Sequence, residues 1–80
     1  MTMTEVRLFA AAAAAAGTPT TVSAAPTLSA LQLELIATHP AIEPVLARCS
    51  FLVDGRVVRE GDPDLTAATT VDVLPPFAGG

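Results

Sequence analysis

Few side chains in this sequence are suited to chemistry, and their positions argue against a catalytic set. His39 is the single histidine and precedes Pro40 at the predicted end of a helix, where a capping or surface role is expected. Cys49 is the single cysteine and opens a predicted strand, where we expect a small buried apolar side chain. One cysteine forms neither an intrachain disulfide nor a CxxC zinc site, which favours a reducing, cytoplasmic setting.

The carboxylates of Asp62 and Asp64, on either side of Pro63, are the arrangement closest to a cation site. Hard cations require more oxygen ligands than this stretch supplies, so we expect a solvated turn instead. The sequence also lacks a phosphate-binding glycine loop. It therefore predicts no metal site and no cofactor bound by this chain.

The last eight residues, VLPPFAGG, hold the most distinctive chemistry. Pro75 and Pro76 lack backbone donors and fix φ, so they should end a sheet and start a stiff extended arm. Gly79 and Gly80 carry no Cβ and can enter a narrow slot. The reactive group there is the α-carboxylate of Gly80, which is ionised at neutral pH and must be activated before acyl transfer, for example by ATP on another protein. An inert tail is the alternative.

The composition excludes several classes of function. Four arginines, no lysine and eight carboxylates in 80 residues give a formal net charge of −4. One small domain is expected, and nucleic-acid binding is not, because phosphate contacts need a basic patch. A partner with a basic surface fits better. The absence of lysine would prevent this protein from being joined to itself through side-chain amines.

The first 27 residues resemble a secretory signal, with an apolar run followed by small residues. Glu5 offsets Arg7, the run is mostly alanine, and cleavage would remove a predicted strand, so we do not interpret it as a signal. The apolar stretch from Leu8 to Ala16 is also far shorter than the roughly 20 residues that cross a bilayer.

The elements that must position the tail follow from local patterns. Alternation from Glu5 to Leu8 predicts a strand with Val6 and Leu8 facing the core and Phe9 on the opposite face. The alanine run up to Gly17 predicts a short helix, and Thr20 to Ser23 a second strand paired with the first.

The middle of the chain carries the strongest periodic signal. Thr27 is a good N-cap for a helix whose apolar face holds Leu28, Leu31, Leu35 and Ile36, and which must end near Thr38 or His39 because Pro40 follows. A second helical turn is predicted over 41–48.

The second half of the chain contains two strand signals around a turn. CSFLVDGRVV predicts a hairpin that turns at Asp54-Gly55. A polar connection, EGDPDLTAATT, then leads to a last strand over 71–74. The order β, β, long α, β, β, β predicts an α+β fold with one sheet of about five strands packed on a long helix.

This order, with three sequence stretches, resembles the MoaD/ThiS family of ubiquitin-like sulfur carriers, and within it the small subunit of molybdopterin synthase. The stretches are VRLFAAAAAAAGT, TLSALQLELIATHPAIEPVLARCSFLVDG and VDVLPPFAGG. The resemblance implies a ubiquitin-like β-grasp domain over 1–74 and an extended Gly-Gly tail over 75–80. The chain departs from the family in LTAATTV, where an acidic, glycine-containing turn is common, and in the first helix, where charged residues are usual.

The resemblance also implies a function without a catalytic centre in this chain. An E1-like adenylating enzyme would use ATP to join AMP to Gly80, and a sulfur donor protein would leave a C-terminal thiocarboxylate. The molybdopterin synthase large subunit, in a heterotetramer, would then accept the inserted tail and transfer the sulfur to a pterin precursor. The residues concerned are Gly80, Gly79, Ala78, Phe77, Pro76 and Pro75.

Partner contacts and alternatives remain open at this point. Leu74, Phe9 and Leu52 are candidates for an apolar contact with the partner, although core packing would explain Leu74 equally well. The same tail would also suit a sulfur carrier for thiamine, cysteine or thionucleoside biosynthesis, a ubiquitin-like protein modifier, or an interaction module with an inert tail.

Overall fold

The computed structural model describes residues 3–76 as one layer of sheet covered by helices. The elements in chain order are β1 Thr4–Leu8, α1 Ala11–Ala16, β2 Thr20–Ser23, α2 Leu28–Thr38, a 3₁₀ turn Pro40–Ile42, α3 Glu43–Leu46, β3 Ser50–Val53, β4 Arg56–Val57 and β5 Thr70–Leu74. This order confirms the predicted α+β class.

The sheet is mixed, with spatial order β2-β1-β5-β3-β4. The last strand, β5, lies at its centre, parallel to β1 and antiparallel to β3. A central strand has neighbours on both edges, so its inward side chains are fully shielded, and Val71 and Val73 are completely buried. Val6 and Leu8 are buried on the same face, as predicted.

Helix α2 covers this face, and local chemistry sets both of its ends. The Thr27 hydroxyl accepts a hydrogen bond from the Ala30 amide at 3.2 Å, which confirms the predicted N-cap. The His39 amide donates to the Leu35 carbonyl at 2.7 Å, and Pro40 then ends the helix. Leu28, Leu31 and Leu35 are buried against the sheet, and Ile36 packs partly against the core.

The alanine run forms α1, and its small side chains allow close packing. Ala12 and Ala16 are buried, and the helix contacts the 3₁₀ turn and α3. Gly17 ends it with φ of 75°, the left-handed conformation that glycine adopts without steric cost. None of the helices within 3–76 is long and apolar enough to cross a bilayer.

The connection between β4 and β5 differs from the polar loop that the sequence predicts. Leu65 and Ala68 within it are buried in the core. The Leu65 amide donates to the Pro26 carbonyl at 2.8 Å, which holds the loop against the start of α2. One pair of apolar residues at a spacing of three, within a turn-rich segment, is too short to establish a helical or strand period. The sequence pattern therefore did not indicate that they are buried.

Candidate functional site

The tail leaves the fold from the centre of the sheet. Strand β5 ends at Leu74, Pro75 is buried, and Pro76 is exposed. Packing therefore continues one residue past the strand, and the chain reaches the surface at Pro76. The predicted tail residues Phe77, Ala78, Gly79 and Gly80 lie outside the residues that the structure describes.

The start of β5 is held by the β3–β4 turn. Asp54 and Gly55 have φ of 49° and 82°. Positive φ at both central residues is typical of a two-residue hairpin turn, so the turn predicted at Asp54-Gly55 is confirmed. The Asp54 Oδ1 accepts hydrogen bonds from the amides of Thr69 at 3.0 Å and Thr70 at 2.9 Å. The strand that carries the tail is thus anchored at the end remote from the tail.

The face of the sheet opposite the core carries the predicted contact residues. Because side chains alternate along a strand and Phe51 and Val73 point into the core, Leu52 and Leu74 lie on the other face, and both are half-buried. The Phe9 amide donates to the Val73 carbonyl at 3.2 Å, so Phe9 lies beside the end of β5.

Two apolar residues extend this face beyond the predicted set. Val57 is paired with Leu52 and is 51% exposed, and Val22 on the edge strand β2 is 58% exposed, against 39% for Phe9. Alternation outward from the Asp54-Gly55 turn places Val57 opposite Leu52, so the sequence contained the signal for this residue. We refer to Phe9, Leu52, Val57 and Leu74 as the sheet-face patch.

An ion pair on the same face joins Arg7 on β1 to Asp72 on the central strand β5. Arg7 Nε lies 2.5 Å from Asp72 Oδ1, and Nη2 lies 3.0 Å from Oδ2. The two residues are direct neighbours in the parallel β1–β5 register. The hydrogen bond and the negative charge of Asp72 raise the pKa of Arg7. The sequence analysis did not identify this pair, because parallel pairing joins residues far apart in the chain.

A groove borders the tail on the helical side of its exit. Its volume is about 360 Å³, and its lining is largely apolar. The residues that line it are Ala11, Pro44, Val45, Arg48, Pro75 and Pro76. Pro75 and Pro76 line this groove, and Leu74 of the sheet-face patch directly precedes them.

The other residues considered for chemistry have structural positions. His39 is the C-cap residue of α2, in agreement with the sequence prediction. Cys49 is half-buried one residue before β3, packs partly against the core, and directs its Sγ to the Val45 carbonyl at 3.2 Å. Burial raises the pKa of the Cys49 thiol, so the less nucleophilic neutral form is favoured.

Asp62 and Asp64 occupy a solvent-exposed turn, as the sequence predicts, and both carboxylates accept hydrogen bonds. Asp62 accepts from the Ser29 hydroxyl at 2.5 Å and the Ser29 amide at 2.8 Å, and Asp64 accepts from the Thr66 amide at 2.8 Å. The Ser29 bonds lower the pKa of Asp62, and the Thr66 amide lowers that of Asp64. Asp62 therefore satisfies a free amide in the first turn of α2.

The fold is shared with several solved structures of small proteins. The chain is similar to small archaeal modifier protein 1 from Methanosarcina acetivorans, with a TM-score of 0.73, 22% identity, and coverage of 100% of this chain and 98% of that one. A putative molybdopterin converting factor subunit 1 from Pyrococcus furiosus gives 0.69 and 19%, with 96% and 100% covered. These likenesses confirm the ubiquitin-like β-grasp fold.

A third structure contains two different subunits. It is a complex of subunits 1 and 2 of molybdopterin-converting factor from Helicobacter pylori, matched with a TM-score of 0.63, 20% identity, and coverage of 99% of this chain and 100% of that one. No curated protein matches the sequence significantly. The model of the ThiS family, in contrast, matches residues 6–80. With nearly its whole length matched, this chain belongs to the ThiS family of ubiquitin-like sulfur carriers.

Proposed function

We propose that this protein carries sulfur on the α-carboxylate of Gly80 for molybdenum cofactor biosynthesis, in the cytoplasm. One observation carries the proposal: within a ThiS-family domain, the central strand β5 delivers the chain to the surface at Pro76, and Phe77-Ala78-Gly79-Gly80 follow. A terminal Gly-Gly can be enclosed by a partner because neither residue has a side chain.

The proposed chemistry takes place on partner proteins. The Gly80 carboxylate attacks the α-phosphate of ATP on an E1-like enzyme, which forms the acyl-adenylate and releases pyrophosphate. A sulfide-equivalent nucleophile from a sulfur donor protein then attacks the acyl carbon, a C–S bond forms, and the bond to AMP breaks. In this proposal the chain supplies the acyl group and the docking surface, and the partner proteins supply the catalytic groups and the ATP.

The thiocarboxylate then enters the large subunit of molybdopterin synthase, where its sulfur forms a bond to a pterin precursor. Water cleaves the acyl–sulfur bond and restores the Gly80 carboxylate. The PPFAGG ending favours this pathway in our proposal, and the names of the Pyrococcus furiosus and Helicobacter pylori proteins agree with it. A partner is expected to cover the sheet-face patch, since apolar patches on small domains often mark protein contacts. We propose Phe77 as a second anchor, next to the tail exit.

The main alternative is a protein modifier that joins Gly80 to lysines of other proteins. The similarity to small archaeal modifier protein 1 favours keeping it as the second candidate. Both functions begin with the same adenylation, so they separate only after activation. A sulfur carrier for thiamine, cysteine or thionucleoside biosynthesis would share activation and thiocarboxylate formation with the molybdopterin pathway. It would differ only in the molecule that accepts the sulfur.

The proposal is tested by the intact mass of the protein. Incubation with its E1-like enzyme, ATP and a sulfur source should add about 16 Da as sulfur replaces one carboxylate oxygen. Deletion of Gly80 is the matched control and should abolish the gain. An unchanged mass for the wild type, or an equal gain in the deletion variant, refutes the proposal.

A second incubation separates the two candidates. Addition of large subunit and pterin precursor should return the carrier to its original mass as product forms. Conjugates of higher mass in a cell extract, without turnover of the pterin, would instead establish the modifier function.

A further inference from the structure

The groove beside the tail exit combines an apolar lining with one cation. Ala11, Val45 and the two prolines Pro75 and Pro76 provide apolar surface, and Arg48 is the charged residue among those that line it. Arg48 is exposed. Such a site suits an apolar side chain that has a carboxylate next to it.

Arg48 is one of four arginines in an acidic protein. The chain has a net charge of −4, and among residues 3–76 the ion pair within 4 Å joins Arg7 to Asp72 and does not involve Arg48. Within residues 3–76, then, no carboxylate forms an ion pair with Arg48. A cation beside an apolar groove gives orientation to a partner, because it marks one point of the interface for opposite charge.

The length of the tail limits how far from this groove a protein that holds Gly80 can lie. Gly80 is four residues beyond Pro76, and an extended chain spans at most about 3.5 Å per residue, or roughly 14 Å in all. An enzyme that holds the Gly80 carboxylate against ATP therefore brings its surface within that distance of the groove. The sulfur-carrier and modifier functions both require this enzyme, so it is the partner common to them.

We propose that the groove receives an apolar side chain of the E1-like activating enzyme and that Arg48 pairs with a carboxylate beside that side chain. This inference rests on the proposed function and adds a second contact to it, in the groove that Pro75 and Pro76 line. The contact fixes the direction in which the tail enters the enzyme. It acts in binding, so its loss should raise KM for this protein and leave kcat nearly unchanged.

Two pairs of variants test the contact by ATP–pyrophosphate exchange with the E1-like enzyme. Arg48→Glu places like charges together and should raise KM roughly tenfold, whereas Arg59→Glu, with the same charge change at an exposed position outside the groove, should change it less than about twofold. Ala11→Leu fills the groove and should raise KM several-fold. Ala14→Leu is its control, on an exposed position of the same helix that does not line the groove.

Far-UV circular dichroism and urea unfolding should show all four variants folded as the wild type is. If Arg48→Glu and Ala11→Leu have the KM of the wild type, the inference is overturned. It is also overturned if Arg59→Glu raises KM as much as Arg48→Glu does, because that result would indicate general charge repulsion. Impairment confined to sulfur transfer by the large subunit also overturns it. These outcomes leave the proposed function intact, whereas wild-type protein that supports no exchange refutes the proposed function itself.

Discussion

Arg7 and Asp72 are 65 residues apart in the chain and form a two-bond ion pair across the centre of the sheet. Their exposures differ, at 44% for the Arg7 side chain and 12% for that of Asp72. The guanidinium can therefore turn to water if its partner is lost, but the carboxylate cannot do so without disturbing the sheet.

This asymmetry predicts an order of effects for the two single substitutions. Arg7→Ala leaves a largely buried carboxylate without its donor and should lower the urea midpoint more than Asp72→Ala does. The double variant should be no less stable than Arg7→Ala, since it removes the uncompensated charge. Urea unfolding followed by circular dichroism measures all three, and a larger loss in Asp72→Ala would contradict the explanation.

The core face of α2 provides a direct test of the packing. Leu31 is fully buried and Leu33, two residues later, is exposed. Leu31→Ala should cost about 3 kcal/mol, a large part of the stability of a domain this size, whereas Leu33→Ala should stay within about 0.5 kcal/mol. The free energy of unfolding in urea gives both values. Equal effects would show that α2 packs through a different face.

The Asp54 carboxylate should matter for stability through its two hydrogen bonds to the start of β5. Asp54→Ala removes the acceptor and the tolerance for positive φ together, and should cost about 1–3 kcal/mol. Asp54→Asn keeps an acceptor oxygen and that tolerance, so it should remain close to the wild type. Similar losses in the two variants would contradict the assigned role of the side-chain oxygen.

Acid stability should depend on Asp62 and Asp64. Hydrogen bonds lower the pKa of both carboxyls in the folded protein, so their contribution is fully present above the unfolded value of about 3.9 and is lost as pH falls through the folded values. The wild type should therefore lose stability below about pH 4. The double variant Asp62→Asn/Asp64→Asn should lose less over the same range, measured by urea unfolding at each pH. Identical pH profiles for the wild type and the double variant would contradict the assigned contribution of the two carboxylates.

The sheet-face patch should contribute to partner binding if the proposed function is correct. Phe9→Ala should raise KM for activation about tenfold, as expected for truncation of a central aromatic contact. Val22→Ala is the control, because Val22 is more exposed than Phe9 but lies on the edge strand β2. Equal effects on KM, in the exchange assay described above, would remove Phe9 from the interface.

Much of the fold follows from local sequence signals. Thr27 and Pro40 mark the bounds of α2, and Asp54-Gly55 marks the hairpin turn, because each acts through the conformation of its own backbone. The alternation that buries Val6 and Leu8 likewise depends on the strand alone. The burial of Leu65 was not predicted. It depends on a loop that crosses the start of α2, and a local sequence pattern does not indicate such a crossing.

The sequence by itself indicated the elements and their order, since propensity and capping act within a few residues. The chemistry assigned to Gly80 stays a prediction from the sequence. The tertiary structure alone decided which distant residues meet. Pairing β1 in parallel with β5 set Arg7 against Asp72, and packing α1 and α3 beside Pro75 and Pro76 formed the groove that includes Arg48. Such contacts form because remote segments bury apolar surface against each other. The free energy of that burial depends on the whole core and cannot be assigned to one stretch of sequence.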